Sequence, residues 1–213
     1  IKMKMIQSTP FVNILPPLHA HMWGMVDATS WNVRGKNYMV DRKKQQCNDA
    51  VFRLMVMDLV ETSRPIFSGI CSHPKERLQL ALQKEKRGID CGLPPFVVVI
   101  NLYIPGPPHY HSVMYFAVDD LAEIEGKTGT PFSKLAERFF FGQDDTFRDN
   151  VFKLFPRVSE GSFFVRKAVG STPALIGKRL KQYYYQADRY FEVVVDISSK
   201  PKASSIVKLS KGF

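Results

Sequence analysis

Long apolar runs are missing from this sequence. A helix that spans a bilayer needs about 20 apolar residues, and the longest apolar stretch, Leu93 to Ile104, is broken by Pro94, Pro95 and Asn101. No membrane-spanning helix is expected. Paired cysteines are missing too: Cys47, Cys71 and Cys91 are odd in number and none sits in a C-x-x-C pair. That fits free thiols in a reducing compartment better than a disulfide framework. Residues Ile1 to Ile6 alternate lysine with methionine and isoleucine, without the apolar core and cleavage site of a secretory signal. There is no N-x-[S/T] acceptor site, which fits a cytosolic face.

The motifs of common catalytic chemistries are also lacking. Gly126-Lys127-Thr128 and the run from Gly170 to Lys178 superficially suggest a phosphate-binding loop, whose glycines expose backbone amides to phosphate. The first has Leu121 where the leading glycine is required. The second spaces its glycines too widely and has Arg179 where a magnesium-binding hydroxyl belongs. Cys71 with His73, His19 with His21 and His109 with His111 are the best local metal-ligand sets. No second pair completes a tetrahedral site, so they read as surface or packing residues. No nucleophile-elbow pattern is present. The expectation is a non-enzymatic binding module with no catalytic residue, cofactor or metal.

What the chain does have is aromatic bulk. Its 213 residues suit one large domain, and 16 Phe with 8 Tyr need a deep interior or a lined cavity. Strand-like runs cover Trp31 to Val33, Phe52 to Val60, Phe96 to Ile104, Ser112 to Val118, Ser162 to Val169, Lys181 to Tyr185 and Tyr190 to Ile197. Phe52 to Val60 is apolar on both alternating faces, as in a strand covered on both sides. A helix is expected after Ser72 and Pro74, with a stripe at Leu78, Ala81 and Leu82 and a stop at Gly88. A second runs from Thr130-Pro131 to Gly142, and Asp144 or Asp145 caps a third through Phe147, Val151 and Leu154. A short capped segment follows at Thr172-Pro173. Two hairpins and no strand-helix-strand alternation give an α+β fold, a curved and mainly antiparallel sheet with three or so helices on one face. Residues 1–26 read as an extended arm, 27–199 as the domain and 200–213 as a basic tail, the start of a truncated or disordered C-terminal helix.

Lysine plus arginine exceed aspartate plus glutamate by 30 to 20, a formal charge of +10, so anionic partners are attracted. Arg34, Lys36, Arg42, Lys43 and Lys44 cluster in the first loop. Arg166, Lys167, Lys178, Arg179 and Lys181 gather late in the chain. Each set fits either a solvated face or an anionic phospholipid headgroup or membrane surface. Nucleic acid is disfavoured, because no signature of a known nucleic-acid module accompanies the aromatics and cations at Tyr183 to Arg189. Arg166 and Lys167 are neighbours in a strand, so one points inward. Its partner is an internal carboxylate, such as Asp58 or Glu192, or a ligand phosphate. The tip Pro105, Gly106, Pro107, Pro108, His109, Tyr110 and His111 is too proline-rich to pair and offers a protein partner a stiff contact surface.

Trp31 to Tyr38, Asp41 to Lys44, Asn101 to Pro108, Phe152 to Arg157, Val165 to Gly170, Thr172-Pro173 with Gly177-Lys178, and Tyr190 to Asp196 resemble, in order, the blocks of the Enhanced Disease Resistance 2 C-terminal domain family. The resemblance spans about Asp27 to Ser199. In plant members this domain lies downstream of a pleckstrin-homology domain and a steroidogenic-regulatory-type lipid-transfer domain, in proteins linked to phosphoinositide membranes and to negative regulation of defence. The resemblance therefore implies a eukaryotic, cytoplasmic domain at a peripheral or endomembrane face. It implies no catalytic residue. It also implies an apolar helix beyond the last strand, where this sequence has Lys202 to Phe213; a sheet around such a helix would be a lipid-holding, helix-grip-like architecture. The combined expectation is a lipid-binding or membrane-associated regulatory module. Its anion-facing candidates are Arg34, Lys36, Arg166, Lys167, Lys178 and Arg179. A protein-interaction domain using the tip Pro105, Gly106, Pro107, Pro108 and Tyr110 is the alternative, and a lipid-acting enzyme is third. The oligomeric state is left open.

Overall fold

Ten short or medium strands and four helices are described in a computed structural model that covers residues 3–7 as backbone, 24–154 and 174–201. In chain order these are β1 (Met3–Gln7), β2 (Asn32–Arg34), α1 (Tyr38–Asp41), β3 (Lys44–Gln46), β4 (Arg53–Thr62), α2 (Arg77–Glu85), β5 (Phe96–Ile104), β6 (His109–Val118), α3 (Pro131–Phe141), α4 (Asp145–Val151), β7 (Lys153–Leu154), β8 (Ala174–Leu175), β9 (Lys181–Gln186) and β10 (Tyr190–Asp196). The expected strand at 162–169, with Arg166 and Lys167, the segment at Thr172-Pro173, most of the arm and nearly all of the tail lie outside the described residues. So does the helix after β10 on which a helix grip depends.

The main sheet has the order β1-β4-β6-β5-β10-β9. Every neighbouring pair is antiparallel except β5 with β10, which run parallel from Val97 opposite Tyr190 to Tyr103 opposite Asp196. The fold is α+β with an open, mainly antiparallel sheet, and both expected hairpins form. The Met3–Gln7 backbone, inside the stretch read as an extended arm, pairs with β4 and adds an edge strand.

The core lies on both sides of the sheet because its central strands carry apolar side chains on both faces, and each face must be covered. On one face Val97, Val99, Val113 and Tyr115 pack with Ile66, Ile70 and the α2 residues Leu78 and Ala81. On the other, Phe96, Val98, Phe191 and Val193 pack with Ala136, Phe139 and Phe140 of α3. This corrects the expectation that the helices share one face. The double-sided pattern of β5 and β10 demands a layer above and a layer below.

Three boundaries differ from expectation. The helix expected from Ser72 begins at Arg77, because Glu76 is the cap: its carboxylate accepts from the amides of Leu78 and Gln79. Residues 70–76 form turns in front of it. The β5–β6 ladder closes at Ile104 opposite Tyr110, so His109, Tyr110 and His111 are strand residues. All three prolines of the tip precede them, and from His109 onward every residue of β6 can donate to the ladder. The α3 expectation and the start of α4 agree with the structure: Thr130 and Asp144 cap with their side chains, and Gly142 ends α3. The end of α4 differs: the helix stops at Val151, and Leu154, expected on its apolar stripe, lies in β7.

Candidate functional site

The first basic cluster is built as a small hairpin. β2 and β3 pair antiparallel from Asn32 opposite Gln46 to Arg34 opposite Lys44. The Gly35 amide donates to the Lys43 carbonyl, and the one-turn helix α1 forms the tip between them. Arg42 closes that turn in the left-handed region, φ 57°, with its amide donating to Tyr38 O. Two guanidinium groups approach the Tyr38 ring, Arg34 at 4.7 Å and Arg42 at 5.8 Å from the ring centroid. Such contacts spread a cation over an aromatic face without neutralising it.

Beside these cations the hairpin exposes apolar side chains. Met39 is 72% and Val40 90% exposed at the tip. Arg34, Lys36, Arg42, Lys43 and Lys44 are exposed around them. Among the described residues the ion pairs lie elsewhere, at Arg53–Asp119, Arg77–Asp58, Lys127–Glu125, Arg138–Asp144, Arg148–Asp145 and Arg189–Glu85. The hairpin thus presents a positive rim around an apolar tip. That arrangement suits a negatively charged surface with an apolar layer beneath it.

Lys178 and Arg179 are exposed at the turn after β8. The turn is held by buried Ile176 and by the close approach of Gly177 to α4, where an added Cβ would come within 2.5 Å of Asp149 Cα. Arg34 and Lys36 therefore share one hairpin, Lys178 and Arg179 belong to a different element, and Arg166 and Lys167 lie outside the described residues. At the β5–β6 tip Pro107 and Pro108 are exposed, Pro105 and Gly106 are half-buried, and half-buried Tyr110 belongs to the ladder.

The face under α2 holds a buried polar system. Glu192 of β10 accepts from the Ile70 and Cys71 amides at 2.9 and 3.0 Å and from Asn101 Nδ2 at 2.8 Å. Asn101 Oδ1 lies 2.9 Å from His111 Nδ1, and His111 Nε2 faces the Ile66 amide at 3.4 Å. His111 is therefore a neutral ring donating from Nδ1 and accepting at Nε2. Burial lowers its pKa to about 4, and His109 nearby acts in the same direction. Asp58 takes a two-pronged bond from Arg77 at 2.8 and 2.7 Å. Both carboxylates considered as partners for Arg166 thus have other partners.

Glu76, fully buried, receives the Tyr115 hydroxyl at 2.6 Å besides its two cap bonds. Burial outweighs these donors and raises its pKa to about 8. Cys71 is fully buried, and desolvation together with Glu192 and Glu76 pushes its thiol well up. Thiolate character, which nucleophilic cysteines require, is thereby suppressed. These bonds fasten the 65–76 loop to the sheet; Tyr185 OH adds one to Phe67 O. Among the described residues no group of three or more His, Cys, Asp or Glu is placed to hold a metal.

The opposite face has a groove of about 390 Å³ between the sheet and α3. Phe52, Val98, Ile100, Phe116, Leu135 and Phe139 supply much of its wall, and Lys153 is the charged residue among its described lining.

Sequence comparison places these features in a family. Residues 23–213 match the family described as "Protein ENHANCED DISEASE RESISTANCE 2, C-terminal". The chain belongs to this family. It is similar to "Protein ENHANCED DISEASE RESISTANCE 2-like" of Arabidopsis thaliana, with 31% identity over 191 residues, 89% of this chain and 24% of that protein. The chain thus spans about a quarter of that relative's length. No solved structure matches it.

Sequence reasoning located the β2–β3 hairpin by its cations but missed Met39 and Val40. The signal was present: an adjacent Met-Val pair inside the run Asn37 to Lys44. The buried polar system left a weaker trace, since Asp58, Asn101 and Glu192 each interrupt an apolar strand run.

Proposed function

We propose that this Enhanced Disease Resistance 2 C-terminal domain is a non-catalytic regulatory module that docks on anionic phospholipid surfaces at the cytoplasmic face of a membrane. The observation that carries the reading is the β2–α1–β3 hairpin, where exposed Met39 and Val40 sit among five cations. Each cation near an anionic membrane surface contributes about 1 kcal/mol. Fully burying each apolar side chain contributes about 1.5–3 kcal/mol. The sum describes reversible, salt-sensitive docking, and either half alone is weak.

Co-sedimentation with phosphatidylserine vesicles of two hairpin variants tests this. Met39→Asp with Val40→Asp removes the apolar tip, and Lys36→Glu with Lys43→Glu and Lys44→Glu reverses the rim. All five side chains are exposed, so the fold is expected to survive, with unchanged melting. Each variant is predicted to lose most of the vesicle-bound fraction. Retention of wild-type binding by both would refute the hairpin mechanism. If Pro107→Asp with Pro108→Asp at the β5–β6 tip were instead the change that abolished recruitment in cells, the protein-interaction reading would replace it.

A further inference from the structure

We propose that the groove between the sheet and α3 binds one long-chain fatty acid, its hydrocarbon tail lying along the aromatic wall and its carboxylate meeting Lys153. This site is separate from the hairpin, and the inference does not depend on membrane docking. The groove offers about 390 Å³, open to solvent along one side, the space of a ligand site at the small end of the usual range. That size suits a single chain better than the paired chains of a bilayer phospholipid.

The wall chemistry selects the ligand class. The described lining is apolar or aromatic apart from Lys153, so a polar metabolite would bury groups without hydrogen-bond partners. A hydrocarbon chain needs none. Part of the wall is also poorly covered: Phe132 and Leu135 of α3 are 39% and 45% exposed, although their helix packs Ala136, Phe139 and Phe140 into the core. One face of α3 is thus shared between the core and the groove. Lys153, exposed in β7 directly after Phe152, supplies one positive charge among the described lining. One charge beside an apolar slot complements a monoanionic amphiphile.

The test uses the purified chain and the fluorescent fatty acid cis-parinaric acid, with displacement by palmitate and by hexadecanol. Saturable uptake near one per chain, displaced by palmitate, is expected. Leu135→Trp, which fills the groove from an exposed position, should abolish uptake while preserving the circular-dichroism melt. Lys153→Glu should weaken palmitate several-fold and leave hexadecanol unaffected. The hairpin variant carrying Lys36→Glu, Lys43→Glu and Lys44→Glu should take up the probe as wild type does, so the two proposals fail independently. Absence of uptake by the wild-type chain would overturn the inference, whether another part of the chain or a second copy fills the groove. Uptake indifferent to Leu135→Trp would overturn it too. Equal weakening of acid and alcohol by Lys153→Glu would overturn the carboxylate assignment.

Discussion

Glu76 and His111 sit fully buried on the same face of the sheet with opposite responses to burial. Glu76 keeps its proton in the folded state up to about pH 8, while the unfolded chain releases it near 4.5. Between those values the folded state binds more protons, so its stability falls as pH rises. His111 behaves conversely: its folded pKa of about 4 lies below the ordinary 6.5, so stability is lost as pH falls from 6.5 towards 4. The two contributions oppose each other between about 4.5 and 6.5, and Glu76 acts alone above that. Urea unfolding from pH 6.5 to 8 should therefore show a decline approaching about 1.4 kcal/mol per pH unit. In Glu76→Gln the decline should vanish, because an amide can still accept from the α2 amides and donate to Tyr115 without titrating. A wild-type profile flat over that range would show that Glu76 titrates in its ordinary range.

Between α3 and α4, exposed Arg138 pairs with Asp144, and the buried part of the joint is made by Arg148. Buried Arg148 donates to the Phe139 and Gly142 carbonyls at 2.7 and 2.6 Å and pairs with Asp145 at 2.6 Å. It thereby satisfies carbonyls that the end of α3 leaves open. Arg148→Met keeps much of the volume but removes the donors, and each buried acceptor left unpaired costs about 1–3 kcal/mol. A loss of about 3 kcal/mol in denaturant unfolding is expected. A loss below about 0.5 kcal/mol, the range of an inert surface change, would contradict this role for the guanidinium.

α3 and the start of α4 were legible because Thr130, Asp144 and Gly142 are local signals that act within one turn of the chain. The start of α2 was not legible, because Glu76 caps while held by Tyr115, a residue 39 positions away. Nor were the strand identities of His109 to His111 evident: the prolines of the tip hid the ladder, and His111 is secured by Asn101 across the hairpin. The cations of the first hairpin could be read directly from the sequence. The exposure of Met39 and Val40 could not, since the same pair in another register would be core.

The whole molecule is a sheet with two unlike sides and a small appendage. One side is closed by α2 and by a loop fastened through Glu192, Asn101 and His111. The other holds a groove under α3. The β2–β3 hairpin forms its own sheet, separate from the six-stranded one, so its tip can change without disturbing either core. That separation lets surface docking be measured cleanly. The most direct measurement is co-sedimentation of the wild-type chain with neutral, phosphatidylserine and phosphoinositide vesicles at low and high salt. Binding to both anionic compositions, little to the neutral one, and release at high salt are the predicted result. Equal binding to neutral and anionic vesicles, or none to any of them, would contradict the proposal that this domain docks on anionic membranes.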